Sequence, residues 1–163
     1  MRLSLLLGAL AVCIGCKPVA QQAAANNPVK WTLSPAPTEL RADSVTPVRL
    51  AATIDQGWYI YSITQKAGGP TPMTVTVAPS PPFSIQGNVA GPAPVVVFDK
   101  EFNLNTERYK GAPSFTVPVI ARLATGAVPQ SVDVKVRFQA CNETMCLPAH
   151  TVTLTNRVQV AVR

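Results

Sequence analysis

Charge is scarce in this sequence and nowhere concentrated. Lys and Arg number 14 and Asp and Glu 8 in 163 residues, with no basic cluster. A mild, dispersed positive excess is the mark of a soluble basic surface, and it gives no footprint for nucleic acid. Histidine occurs once, at His150. Past the first 15 residues no segment is apolar enough to span a bilayer. No stretch keeps a helical period between caps, and no internal repeat is present.

What is present begins with "MRLSLLLGALAVCIGCKP". One cation, Arg2, precedes an apolar run from Leu3 to Ile14, too short for a spanning helix but suited to a secretory signal. "CIGC" matches a bacterial lipobox in Gly15 before Cys16, though Cys13 stands where an aliphatic residue is usual. Residues 1–15 are therefore expected to be a signal peptide, with Cys16 as the lipidated residue. Cleavage after Ala20 is the alternative. Either route exports the chain. Loss of Arg2 would lower the net charge from +6 to +5. "NET" at Asn142 is formally a glycosylation sequon, and behind a bacterial signal it is a chance match.

Residues 16–30 are mostly small or polar and read as a flexible tether. The rest, 31–163, is about 130 residues, the size of one domain with a real core. Sixteen prolines and nine glycines punctuate short runs of Val, Ile, Thr and aromatics. Strands are expected at 48–54, 58–63, 73–77, 95–98, 114–123, 132–138, 151–155 and 158–162. This spacing predicts an all-β, immunoglobulin-like antiparallel β-sandwich. In 132–138 Val132, Val134, Val136 and Phe138 alternate with Asp133, Lys135 and Arg137, so one face packs on a core. Continued, that parity puts Gln139 and Cys141 on the water-facing side.

The remaining cysteines lie in "RFQACNETMCLPAH", residues 137–150. Extended, the five steps from Cys141 to Cys146 span about 17 Å. Disulfides usually hold their Cα atoms roughly 4.4 to 6.8 Å apart, so the chain must turn back within "NETM". Three readings are open. A structural staple of this ring size contributes only about 2 kcal/mol, against roughly 4 to 5 for a ring of 100 residues. A redox pair on a hairpin tip would be open to a partner thiolate, with Arg137 and His150 favouring a thiolate and Glu143 opposing it. A metal site built on C-x4-C-x3-H lacks a fourth zinc ligand, though Met145 beside Cys146 would suit soft Cu(I). His150 is more often a strand residue than a ligand or base.

The flanking residues resemble a known family. Phe138-Gln139-Ala140-Cys141, then Cys146-Leu147-Pro148, is similar to the cysteine motif of the N-terminal periplasmic domain of the DsbD family of thiol:disulfide interchange proteins. "DQGWYIYS" at 55–62 resembles that family's Gly-aromatic strand. The similarity covers roughly residues 31–160, nearly the whole mature domain. The resemblance implies a sandwich with both cysteines on one edge. It implies dithiol/disulfide exchange, with Cys146 attacking and Cys141 resolving. It also implies a loop whose acidic and aromatic residues shield the cysteines. Here "FDKEFNLNTERY", 98–109, fits, with Phe102 as the cover and Asp99 and Glu101 tuning the thiols. Trp58 and Ile60 alternate with Tyr59 and Tyr61, so one pair belongs to the core and the other can face the cysteines.

The chain departs from the pattern in having four residues between its cysteines rather than five, and Ala149 where a second Pro is usual. It carries neither the family's membrane domain nor its thioredoxin-like domain, so electrons are expected from a separate protein. The expected partners are a membrane-embedded thiol transporter and periplasmic thioredoxin-like proteins. No organic cofactor or metal is required, the expected state is a monomer, and the expected location is the periplasm or cell envelope. The competing reading is a non-catalytic binding or assembly module whose disulfide stiffens a hairpin.

Overall fold

A computed structural model describes residues 27–34, 39–77, 82–122 and 129–161. The signal peptide, Cys16, Ala20 and all but the last four residues of the expected tether lie outside the described residues. Of the four, Val29 and Lys30 already belong to a strand, so the domain begins inside the span expected as tether.

The described residues form strands and no helix. In chain order these are β1 (Val29–Leu33), β2 (Glu39–Arg41), β3 (Val45–Ile54), β4 (Tyr59–Tyr61), β5 (Thr74–Val77) and β6 (Phe83–Ile85). Then come β7 (Val95–Asp99), β8 (Leu104–Tyr109), β9 (Ser114–Ala121), β10 (Pro129–Phe138), β11 (Ala140–Cys141) and β12 (His150–Ala161). One sheet runs β1-β3-β9-β6, a second β2-β12-β10-β5, and a third β11-β4-β8-β7. Every strand pair is antiparallel except β12 with β2. The immunoglobulin-like sandwich expected from the spacing of strands and turns is what forms.

Alternation builds the core. Val132, Val134, Val136 and Phe138 of β10 point inward and are fully buried. They meet Leu50, Phe115, Val117 and Val119 from β3 and β9 in one apolar cluster. Trp31 stacks at 5.4 Å from Phe138 and 6.1 Å from Phe115. The third sheet enters the same cluster through Ile60, Tyr109 and Ala140. Its opposite face is left to carry something else.

Several boundaries differ from expectation for identifiable reasons. The runs 151–155 and 158–162 are one strand, β12, because Asn156 and Arg157 stay in register with Val132 and Ser131 and the ladder with β10 runs through them unbroken. Val162, like Leu123 at the end of 114–123, lies outside the described residues. The short β2, β6 and β11 are too brief for an alternation to show. The stretch 98–109 is not one loop: Phe98 and Asp99 end β7, and 104–109 is β8. Only 100–103 turns, with Asn103 at φ 53°, a left-handed conformation that Asn tolerates.

Close packing makes a first prediction. A Cβ added at Gly91 would lie 2.5 Å from Phe115 Cδ1, a ring buried in the core. Gly91→Ala should therefore cost about 1 to 3 kcal/mol. Urea denaturation would show it as a lower midpoint at unchanged slope.

Candidate functional site: the disulfide face of the third sheet

The chain changes sheets at the end of β10. Phe138 closes that ladder, Gln139 is outside any strand, and Ala140–Cys141 pair with Ile60 and Tyr59 in the third sheet. Ala140 points into the core. Cys141 points the other way, as parity requires, yet it is 0% exposed. The water-facing position expected for it is thus corrected. Tyr59 and Tyr61 cover it in a separate small cluster. Parity along one strand fixes which face a side chain takes. It cannot tell that a second strand's aromatics roof that face.

The turn closes within "NETM". Asn142 Oδ1 accepts the Thr144 N–H, the Thr144 hydroxyl and the Met145 N–H, each at 2.9 Å. Asn142 N–H donates to Met145 O and Leu147 N–H to Ala140 O, both at 2.9 Å. Gln139 Nε2 donates to Leu147 O at 3.2 Å. Cys141 and Cys146 form the disulfide, with Cα atoms 4.1 Å apart. Its two ends differ: Cys141 is buried and Cys146 is exposed.

Tyr59 and Tyr61 meet edge to face at 5.6 Å, and the Tyr59 hydroxyl donates to Asn142 O at 3.4 Å. Ile60, between them, is core, and Trp58 packs partly buried against that core. So the tyrosine pair faces the cysteines and the Trp58/Ile60 pair faces inward. Next on the cysteine face comes Arg108, paired with Tyr61 across the strands. Its guanidinium carbon lies 4.1 Å above the Tyr59 ring centroid. Arg108 Nη2 donates to Asp99 Oδ2 at 2.8 Å, and both side chains are buried. Arg108 Nε donates to Thr106 Oγ1 at 3.0 Å, and that hydroxyl donates to Val97 O at 3.1 Å. Arg108 Nη1 comes within 3.9 Å of Glu143, on the turn between the cysteines.

Asp99 has a second task. Its Oδ1 accepts the N–H groups of Glu101 at 3.0 Å and Phe102 at 3.4 Å, holding the 100–103 turn. Glu101 is exposed on that turn. Phe102, 39% exposed, lines a cleft of about 590 Å³ together with Asp99, Tyr59, Met145 and Cys146. The turn therefore stands beside the sulfurs. A groove of about 650 Å³ between β5 and β6 has no ionisable side chain, so the chemistry is assigned to the disulfide cleft.

Arg137 and His150, weighed from sequence as thiolate partners, are placed elsewhere. Arg137 is exposed on the second sheet. His150 packs at 4.5 Å from the Phe138 ring and hydrogen-bonds Asn27 Nδ2 at 3.2 Å. Among the described residues no group of three or more His, Cys, Asp or Glu side chains gathers to hold a metal.

Burial raises the Tyr61 hydroxyl well above its ordinary value, and Tyr59 and Asp99 add to the shift against an opposing pull from Arg108. The folded chain thus keeps a proton that the unfolded chain releases near pH 10. Stability should be level below that value and fall as pH climbs through it. Tyr61→Phe should flatten the fall, read by denaturant melts between pH 8 and 11.

Fold and site together define an immunoglobulin-like domain carrying one asymmetrically exposed hairpin disulfide. The chain belongs to the family of the N-terminal domain of the thiol:disulfide interchange protein DsbD, whose model matches residues 32–157. It is a thiol–disulfide interchange module of that family. Among solved structures it is similar to the reduced N-terminal domain of DsbD from Neisseria meningitidis, at 14% identity, TM-score 0.53, covering 86% of this chain and 98% of that one. It is also similar to the N-terminal periplasmic domain of ScsB from Proteus mirabilis, at 14% identity and TM-score 0.49, covering 78% of this chain and 44% of that one. No curated protein matches it in sequence.

Proposed function

We propose that the domain is an exported relay that passes two electrons by exchange at Cys141–Cys146. Its partners on this reading are a membrane-embedded thiol transporter and thioredoxin-like proteins of the periplasm, with Cys16 as a lipid anchor. One observation carries the reading: Cys146 is exposed while Cys141 is buried. Exchange requires a thiolate to approach one sulfur along the S–S axis while the other departs. Cys146 is the sulfur a partner can reach, and Cys141 is the one that departs.

A partner thiolate bonds to Cys146 Sγ, the S–S bond breaks, and its electron pair leaves on Cys141 Sγ. The partner's second thiol then attacks its own sulfur of the mixed disulfide and frees Cys146 as thiolate. The partner is oxidised and the domain reduced. In the reverse direction Cys146 attacks and Cys141 resolves.

The staple reading is weakened by the turn itself. Asn142 and the Ala140–Leu147 hydrogen bond already close the hairpin tip. A covalent link across so small a ring adds only about 2 kcal/mol. The test is to mix the reduced domain with an oxidised thioredoxin-like protein and follow both by thiol alkylation. Stoichiometric transfer, faster than with glutathione at equal thiol concentration, supports the relay. Transfer no faster than with glutathione removes it.

A further inference from the structure

We propose that Arg108 is the charge that receives the departing Cys141 thiolate, and that Asp99 and Glu143 hold it in reserve while the disulfide is closed. This rests on the exchange reading above. Arg108, 5% exposed, is the only buried cation among the described residues. It packs on the tyrosine pair that buries Cys141. Tyr59 is Cys141's cross-strand partner, and the guanidinium stacks on the Tyr59 ring. A thiolate formed at a fully buried sulfur is poorly hydrated and needs an opposite charge nearby.

The guanidinium has capacity to spare. Nη2 is spent on Asp99 and Nε on Thr106. Nη1 has only the 3.9 Å approach to Glu143, whose side chain is 76% exposed. Glu143 sits on the turn between Cys141 and Cys146 and reaches Arg108 only by this long, solvent-exposed contact. Such a contact yields readily when negative charge appears on Cys141 Sγ. Arg108 then exchanges a loose carboxylate contact for the thiolate. The other ionisable groups on this face are Tyr59 and Tyr61 from β4, the exposed Lys100 and Glu101 of the 100–103 turn, and, at the rim, Lys110, whose Nζ is 5.8 Å from the Tyr59 ring centroid. The rim ammonium is exposed and screened by solvent.

An ion pair that merely anchors the 100–103 turn would respond alike to loss of either partner. A pair that sets the charge seen by Cys141 responds with opposite signs. The test is made in a Cys146→Ala background, where Cys141 is the only thiol of the described domain and no exchange is needed. Thiolate absorbance near 240 nm is followed against pH in chain lacking residues 1–15 and carrying Cys16→Ser. Arg108→Gln should weaken Cys141 ionisation by on the order of tenfold, one pH unit. Asp99→Asn keeps the oxygen that holds the turn and unmasks Arg108, so it should strengthen ionisation severalfold. In the chain with both cysteines, reduction by dithiothreitol should slow and quicken in the same order, because that reaction expels Cys141.

Shifts of the same sign, or none, overturn the proposal. If Arg108→Gln does not fold, Asp99→Asn decides alone: stronger ionisation sustains the proposal, and unchanged or weaker ionisation overturns it. Failure here leaves the exchange reading standing, and an inert disulfide in the partner assay leaves these shifts measurable.

Discussion

Replacing Cys141 with alanine should accumulate a mixed disulfide between Cys146 and its partner, and replacing Cys146 with alanine should accumulate none. The expectation follows from burial. A thiolate that attacks a partner disulfide must be approachable, and Cys146 is exposed while Tyr59 and Tyr61 cover Cys141. Without Cys141 the mixed disulfide formed by Cys146 has no intramolecular thiol to resolve it, so it persists. Without Cys146 the remaining thiol is out of reach and transfer should drop to background. Non-reducing gels of envelope extracts, after acid quenching and alkylation, read both outcomes. Equal trapping by the two variants would show that burial does not choose the attacking sulfur.

Phe138→Ala should be the most destabilising single substitution at the base of the site, by about 3 to 5 kcal/mol. Phe138 is fully buried where β10 hands the chain to β11. Its ring packs on Trp31 at 5.4 Å and on His150 at 4.5 Å. Few neighbours can move to fill the void, since Val136 and Ala140 are themselves in the core. Domains of this size hold only about 5 to 15 kcal/mol in all, so the loss should be plain in a urea melt. A loss under about 1 kcal/mol would mean that the cavity collapses.

Both predictions lean on features that differ in how far the sequence discloses them. The sandwich is legible because alternation in β10 is clean and prolines and glycines mark the turns. The cysteine motif and "GWYIY" point to the family that the family model also matches. The tyrosine–isoleucine alternation of β4 announces two faces, and only the fold says which is which. β8 is hidden for a physical reason. Its inward residues on the cysteine face are Thr106 and Arg108, so a buried strand reads as a polar loop. Arg108 is hidden with it. An arginine is assigned to solvent unless its partner is known, and Asp99 becomes its partner only through the β7–β8 pairing. The Asn142 turn was foreseeable from residue type, but its three hydrogen bonds were not.

The reduction potential of the Cys141–Cys146 bond in the folded domain, titrated against glutathione or dithiothreitol buffers, tests the relay most directly. A working relay should show a value above about −300 mV, within reach of cellular thiol–disulfide couples. A value well below that would mark a purely structural bond and contradict the relay.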